Sequence, residues 1–327
     1  MTKINSLENK KIVWFVILSI MMISVLAQTE ISFQPLLLST NRSLILSLNA
    51  PSGKVYRLQT TEDFINWLNL VTFETSSGAC RYTDTAVMLC PRRFYRAVQM
   101  AGTNYISGDH IQTDDSDVII QPINHATFIM QWGTNTLYFD PTGEASRYAN
   151  LPKASILFLT HAHSDHYSPS TITNVITSTT KIITPKIVWN QLPAYLSTYA
   201  ILMTNGTMTN INGIKIEAIP MYNTTSSFHQ KGDGNGYVIT IGNKRFYISG
   251  DTEDIPEMRA LKNIDVAFIA MNKPYTMNTQ QSASAVLEFK PKIVYPYHYS
   301  PSNPAVDLNE FLKAVGNQVE VRLRKWY

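Results

Sequence analysis

The sequence contains little cysteine and no region of concentrated charge. Its 327 residues include two cysteines, Cys80 and Cys90, and neither is near the cluster of histidines described below. This placement favours a structural disulfide in an oxidising compartment over a catalytic or metal-binding thiol, and two buried free thiols are the alternative. The formal net charge of +3 is spread along the chain. No nucleic-acid partner is therefore expected.

The N-terminus has the pattern of a secretory signal peptide. After Lys10 and Lys11, an uncharged apolar run of 16 residues ends in Val25-Leu26-Ala27, a spacing of small residues that signal peptidases accept. A membrane anchor is the alternative, but a spanning helix needs about 20 apolar residues. We therefore predict a signal peptide over residues 1–27, no stable membrane span after its cleavage, and a secreted or periplasmic protein.

The next part of the chain, residues 28–100, is rich in short strand patterns. Segments such as "SLILSLNA", "KVYRLQTT" and "RRFYRAVQ" are separated by turn signals and lack a helical period, which indicates a small all-β sandwich. The pattern "YRLQTTEDFINWLNL…RRFYRAV" resembles the immunoglobulin-like modules that precede enzymes in some secreted bacterial proteins. The polar segment 101–116 is predicted to be a linker or an edge segment, with His110 as a solvent-exposed bystander.

From residue 117 to residue 327, strand patterns alternate with helical ones. "DVIIQPINHATFIMQWGTNTLYFDP" predicts antiparallel strands that turn at residues 133–135, and later strands are separated by helical segments, among them "TQQSASAVLEFK" and "DLNEFLKAV". This order indicates an α+β domain in which mixed sheets carry helices on their outer faces.

Histidine is scarce, yet three of the seven histidines lie within six positions. The stretch "ILFLTHAHSDHYS" places His161, His163, Asp165 and His166 directly after an apolar strand. In near-extended chain, side chains two positions apart point the same way, so His161 and His163 project together. Asp165 and His166 follow in a turn. Imidazole and carboxylate groups at this spacing are typical Zn²⁺ ligands, so a metal site is favoured over histidines that only make local hydrogen bonds.

Three further candidate ligands also lie at or near the ends of predicted strands. Asp251 follows the strand "RFYIS", His298 ends the strand in "IVYPYH", and His229 opens a glycine-rich segment before a strand. Mixed sheets gather functional groups at one edge, so these residues are expected to join the histidine cluster.

At these residues the chain resembles the metallo-β-lactamase superfamily. "HAHSDH" matches the family's His-x-His-x-Asp-His motif in full, and "SGDT" and "YPYH" follow in order. The resemblance covers about residues 117–327 and implies an αββα sandwich with a dinuclear zinc site, two Zn²⁺ per chain. It also implies that one ion binds His161, His163 and His229, that the other binds Asp165, His166 and His298, and that Asp251 bridges the two. Asn223 stands where many family members have the ligand assigned here to His229, so Asn223 is the alternative.

The resemblance also suggests roles close to the metals. Asp165 is expected to orient the attacking water, and His125, which has counterparts near the metal in some branches, is a second catalytic candidate. A core histidine with a backbone partner is the alternative for His125. Asp140 is expected either to orient a ligand histidine or to cap a turn before Pro141.

These expectations lead to an exported zinc-dependent hydrolase. Two zinc ions lower the pKa of a bridging water to about 7, which makes hydroxide available to cleave an ester, lactone, amide or phosphodiester bond. The small-molecule or polymer substrate is not specified by the fold. Residues 231–236, Tyr275 and Tyr299 are candidates to line the pocket, although such segments are also ordinary surface loops. The alternative function is a secreted binding protein whose metal domain is structural and whose β-sandwich recognises a surface polymer.

Overall fold

A computed structural model describes residues 32–34, 37–38, 43–75, 79–87, 92–101, 106–302 and 304–327. The chain divides into two compact units, the first ending at Ala101 and the second beginning at Gly102. The predicted signal peptide and Cys90 lie outside the described residues, so the signal peptide and the disulfide stay predictions. Within the described ranges, no helix is long and apolar enough to cross a membrane.

The first unit is built from short antiparallel strands. Its strands are β1 (Ser32–Phe33), β2 (Leu37–Leu38), β3 (Leu44–Asn49), β4 (Val55–Thr61), β5 (Leu68–Glu74), β6 (Ala79–Asp84) and β7 (Phe94–Gln99). β3 pairs with β1, β2 and β6, whereas β4 pairs with β5 and β7.

Alternate residues of these strands form the core of the first unit. Leu44 and Leu46 of β3 cluster with Leu58 of β4, Leu70 of β5 and Tyr95 of β7. A period of two along the strands gives this arrangement. The immunoglobulin-like resemblance itself stays a prediction.

In the second unit, a first mixed sheet carries the histidine-rich motif. Its strands are β8 (Gly108–Ile111), β9 (Val118–Asn124), β10 (Thr127–Trp132), β11 (Asn135–Phe139), β12 (Ile156–Phe158), β13 (Lys181–Thr184) and β14 (Ala200–Leu202). They lie in sequence order across the sheet. β8 to β11 are antiparallel, and β11 to β14 are parallel.

The second mixed sheet follows the same plan. Its strands are β15 (Met208–Ile211), β16 (Ile214–Met221), β17 (Gly234–Ile241), β18 (Lys244–Ile248), β19 (Val266–Ala270), β20 (Ile293–Tyr297) and β21 (Glu320–Val321). They also lie in sequence order, antiparallel from β15 to β18 and parallel from β18 to β21.

The helices cover the outer faces of the two sheets. They are α1 (Pro169–Val175), α2 (Lys186–Trp189), α3 (Ala194–Ser197), α4 (Pro256–Arg259), α5 (Thr279–Phe289) and α6 (Pro304–Val315), with a 3₁₀ turn at Ala145–Tyr148. Leu157 of β12 packs with residues of α1 to α3 on one face of the first sheet, whereas its neighbours Ile156 and Phe158 join the core shared with the second sheet. Phe289 of α5 packs on Tyr247 of β18. This layering is the predicted αββα arrangement.

The predicted linker over residues 101–116 is wrong in part. Gly108–Ile111 is strand β8, and His110, which we expected to be exposed, is buried with its Nδ1 atom 2.8 Å from Asp117 Oδ2. The neighbouring Asp109 is also buried and accepts hydrogen bonds from Tyr295 and Arg324. These polar side chains are buried because each has a charged or hydroxyl partner, and two of those partners lie far away in the sequence.

Candidate metal centre

All seven predicted ligands lie at one edge of the two facing sheets. The loop after β12 carries four of them, Asp251 and His298 follow β18 and β20, and His229 lies in the loop between β16 and β17. Strands β12 and β18, which precede two of these loops, each pair with a parallel neighbour. The carboxyl ends of parallel strands meet at the same edge, so distant parts of the sequence converge here.

The loop from Thr160 to Tyr167, called here the motif loop, is compact. Its turn is closed by two backbone hydrogen bonds, in which the amides of His166 and Tyr167 donate to the carbonyl of His163 at 3.0 and 2.8 Å. α1 then begins at Pro169, with the Ser168 hydroxyl accepting from the Thr171 amide. The turn therefore directs Asp165 and His166 back towards the side chains of the two preceding histidines.

One group of candidate ligands consists of the three histidines His161, His163 and His229. The Nδ1 atom of His163 lies 3.1 Å from His161 Nε2 and 3.2 Å from His229 Nε2. His161 and His229 are buried, and His163 is exposed. Three ring nitrogens that converge in this way form an arrangement that can hold a metal ion.

A second group lies beside the first and contains both acids of the prediction. His298 Nε2 is 3.4 Å from Asp165 Oδ2 and 3.3 Å from Asp251 Oδ2, and His166 Nε2 is 3.4 Å from Asp251 Oδ1. Asp251 Oδ2 is also 3.7 Å from His229 Nε2 in the first group. Asp251 thus contacts both groups, which is where a bridging ligand would lie.

Asp140 fixes the orientation of two ligand histidines, one directly and one through Thr160. Its carboxylate accepts from the Thr160 amide at 2.8 Å and the Thr160 hydroxyl at 2.6 Å, and His166 Nδ1 lies 2.8 Å from Oδ2. A carboxylate accepts only, so His166 donates from Nδ1. The Thr160 hydroxyl donates its hydrogen bond to Asp140, so it accepts one from His161 Nδ1 at 3.0 Å. Both rings therefore direct an Nε2 lone pair into the cluster, the form that binds metal.

Several buried polar atoms in the cluster have no hydrogen-bond partner among the described residues. They include Nε2 of His166, Nε2 of His298 and Oδ1 of Asp251. Buried polar groups are rarely left unsatisfied, and a cation between these atoms would satisfy all three. The donor set of imidazole nitrogens and carboxylate oxygens fits Zn²⁺.

The buried carboxylates of the cluster also favour the binding of a cation. Burial and the neighbouring His166 lower the pKa of His161 well below its usual value, so this ring stays neutral. His166 behaves differently, because the carboxylates of Asp251 and Asp140 raise its pKa despite its burial. Without a metal, the carboxylate charge is thus balanced by a proton on His166, and a divalent cation would take that proton's place.

His125 belongs to the second group rather than to the core. It lies in the turn between β9 and β10 with a positive φ of 53°, and its Nε2 atom is 3.1 Å from Asp165 Oδ2. The Tyr327 hydroxyl donates to the carbonyl of Tyr299, so it accepts from His125 Nδ1 at 2.6 Å. His125 therefore also directs Nε2 at the cluster.

His229 lies in a loop from Tyr222 to Asp233, called here the long loop, which is held by Glu253. The Glu253 carboxylate is fully buried and accepts from the amides and hydroxyls of Thr224 and Thr225. Lys273 Nζ also donates to it at 2.9 Å. Although burial opposes ionisation, these bonds lower the pKa of Glu253 to about 2. Sequence reasoning missed this residue, and its only signal was an acid two positions after Asp251.

Asn223, the alternative ligand, uses its side-chain and backbone amides within and beside the long loop. Its side-chain amide donates to Ser226 Oγ at 2.7 Å and to the carbonyl of Tyr275 at 2.8 Å, and its backbone amide donates to the His229 carbonyl. The amide nitrogens of Asn223 therefore close the base of the long loop, whereas a ring nitrogen of His229 lies in the first group.

The cluster lies in a cavity of about 450 Å³, a size suited to a small-molecule substituent. Of the predicted pocket residues, Tyr275 lines it, whereas Lys231 pairs with Glu257 on the surface and Tyr299 is buried. The glycine-rich segment has another purpose, because a side chain at Gly234 would clash with Met221 and the Thr160 carbonyl. The lining residues are His125, His163, Ser164, Asp165, Phe228, His229, Asp251, Asn272, Tyr275 and His298.

Comparison with known proteins identifies relatives over the second unit. Residues 119–298 match the family described as Beta-lactamase superfamily domain. A UPF0173 metal-dependent hydrolase from Thermococcus onnurineus is 30% identical over 218 residues, which cover 64% of this chain and 96% of the relative. A metal-dependent hydrolase of the same name from Thermococcus kodakarensis is 28% identical, covering 62% of this chain and 95% of its own.

Solved structures give the same result. A candidate metal-dependent hydrolase from Parabacteroides distasonis is 36% identical, with a TM-score of 0.61 over 68% of this chain and 100% of its own. A metallo hydrolase from Ignicoccus hospitalis is 23% identical, with a TM-score of 0.54 over 64% and 95% of the two chains. The second likeness concerns the fold alone.

Proposed function

Since this chain belongs to the metallo-β-lactamase superfamily and is a metal-dependent hydrolase, we propose that it acts as an exported enzyme with two zinc ions. Zinc is favoured because the candidate ligands are mainly imidazole nitrogens, with two carboxylates in place of an oxygen-rich set. Export is proposed from the apolar run at residues 12–27. The mature protein would be secreted or periplasmic.

We assign His161, His163 and His229 to one ion, and Asp165, His166 and His298 to the other, with Asp251 between them. The convergence of these side chains within 4.8 Å in overlapping groups is the observation that carries the proposal. His125 lies in the second group and is a further ligand candidate. When bound, the two ions lower the pKa of a water molecule towards neutrality and polarise the bond to be cleaved.

The residues of the chain supply orientation and proton transfer. Asp140 and Thr160 fix the lone pairs of His161 and His166 before any ligand arrives, which limits reorganisation during the reaction. Asp165 is the acid placed to orient the attacking water, because its side chain is 46% exposed and lines the cavity. His125 Nε2 lies 3.1 Å from Asp165 Oδ2, where, when not itself bound to an ion, it could take a proton from the attacking water and return it to the leaving group.

The proposed reaction is hydrolysis of an ester, lactone, amide or phosphodiester bond. A screen of chromogenic members of each class, on zinc-loaded protein and after removal of zinc by a chelator, tests it directly. We expect turnover of at least one class, its loss on chelation and its return with zinc. Zinc binding without turnover of any class would favour the alternative of a secreted binding protein.

A further inference from the structure

Two aromatic side chains stand at the mouth of the cavity without being part of the core. Phe228 and Tyr275 are 45% and 47% exposed, and their ring centroids are 5.0 Å apart in an edge-to-face arrangement. Both line the cavity that contains the candidate ligands. Large exposed aromatics beside a polar cluster contribute little to folding, so they mark a surface that binds an apolar group.

The network that positions the ligands also holds this aromatic pair in place. Phe228 directly precedes His229, and the Tyr275 carbonyl accepts from the side-chain amide of Asn223, which closes the long loop. Lys273, two residues before Tyr275, donates to the same Glu253 carboxylate as Thr224 and Thr225. The backbone that carries both aromatic residues is therefore tied to the loop that carries His229.

The remaining lining residues indicate what the polar part of the substrate is like. No lysine or arginine is among the residues that line this cavity, and the neutral Asn272 and Ser164 line it beside the ligands. Within the described part of the chain, the Asn272 side-chain amide has no hydrogen-bond partner, so it is free to donate to a substrate oxygen. Phosphate groups are typically recognised by arginine or lysine, whereas a carbonyl needs one or two neutral donors.

We propose that the substrate is a carboxylic ester, lactone or amide whose acyl part ends in an aromatic or branched apolar group. That group packs against Phe228 and Tyr275, while Asn272 donates a hydrogen bond to an acyl-side oxygen. The inference rests on the proposed function, because the reacting carbonyl is placed beside the proposed metal site.

Binding of product-like carboxylates to the zinc-loaded protein tests the aromatic site without relying on turnover. By isothermal titration calorimetry, we expect 4-phenylbutyrate to bind about tenfold more tightly than acetate. The double variant Phe228→Ala/Tyr275→Ala should lower this preference to about twofold, whereas Tyr195→Ala, which removes another exposed aromatic, should leave it unchanged. If the double variant loses zinc, Tyr275→Ala and Phe228→Leu replace it.

Hydrolysis rates then test the substrate class. Methyl 4-phenylbutyrate should be cleaved with a higher kcat/KM than methyl acetate, and bis(p-nitrophenyl) phosphate should be a poor substrate. Equal binding of the two carboxylates, or a preference that survives the double variant, would overturn the aromatic site. Turnover confined to the phosphodiester would overturn the carbonyl class. The binding preference without turnover of any substrate would support the site and contradict the proposed hydrolysis alone.

Discussion

The two loops that supply histidines to the first ligand group are held in different ways. The motif loop is short, comes shortly after β12 and is fixed by Asp140, which directly follows the neighbouring strand β11. The long loop spans twelve residues from Tyr222 to Asp233, and its anchor is Glu253, which lies beyond the next two strands. The motif loop is thus held by an aspartate at the end of the neighbouring strand. The long loop is held by the buried carboxylate of Glu253, which lies in another loop.

This difference explains why one loop could be predicted and the other only in part. A ligand motif carried by a single turn leaves its full pattern in consecutive residues, as "HAHSDH" does. A ligand in a long loop is positioned by tertiary contacts, so its spacing in the sequence carries little information. His229 and Asn223 could not be separated by pattern alone, and the structure favours His229 through its ring nitrogen beside His163, while the Asn223 amide bonds to Ser226 and Tyr275.

The largest effect is expected from breaking the support of the motif loop with Asp140→Asn. An asparagine cannot accept from His166 and Thr160 through both oxygens, so the ring lone pairs would no longer point at the metals. Loss of such supporting residues typically weakens metal binding by about 10- to 100-fold. Zinc affinity by competition with a chelating dye measures this. Glu144→Gln, at an exposed acid near the start of the 3₁₀ turn, is the control and should behave as wild type.

An intermediate effect is expected from Glu253→Gln, which weakens the support of the long loop. A buried group that loses its charge-assisted bonds typically costs about 1–3 kcal/mol of stability, and zinc affinity should fall less than in Asp140→Asn. Glu288→Gln removes a surface ion pair with Arg259, a contact that involves neither loop, and should have almost no effect. An equal loss of zinc affinity in the Asp140 and Glu253 variants would remove the distinction between the loops.

The ionised Glu253 carboxylate also predicts that stability depends on pH. The pKa of Glu253 is lowered from 4.5 to about 2, so its stabilising contribution is complete above pH 4.5 and is lost as the pH falls towards 2. Urea unfolding of the metal-free protein at a series of pH values in this window should show a smaller decline in Glu253→Gln than in wild type. Identical slopes would mean that folding does not lower the pKa of Glu253.

The smallest effect on metal binding is expected from Tyr327→Phe, which touches neither loop. The variant loses the hydroxyl that orients His125 Nδ1, yet both loops keep their anchors. We expect unchanged zinc content and a fall of a few-fold in kcat, measured on the best substrate of the screen. A loss of zinc as large as that of Asp140→Asn would mean that His125 is an essential ligand.

Much of the fold and the site could be predicted because the decisive residues are local. The alternating pattern of β9 to β11, the motif after β12 and the strand-end positions of Asp251 and His298 are each visible within a few residues. Asp109 and His110 were mistaken for linker residues because their burial depends on pairing, and for Asp109 the partners are the distant Tyr295 and Arg324. Phe228, Asn272 and Glu253 were missed because their roles also depend on contacts between parts of the chain that are distant in sequence.

The central claim is that the cluster holds two zinc ions, and metal content measures it most directly. Inductively coupled plasma mass spectrometry on residues 28–327 should give about two zinc ions per chain, and one or fewer in the double variant Asp165→Ala/His166→Ala. The loss of one ion in the variant would locate that ion at Asp165 and His166. Absence of bound metal in the wild-type protein, even after reconstitution with zinc, would contradict the account.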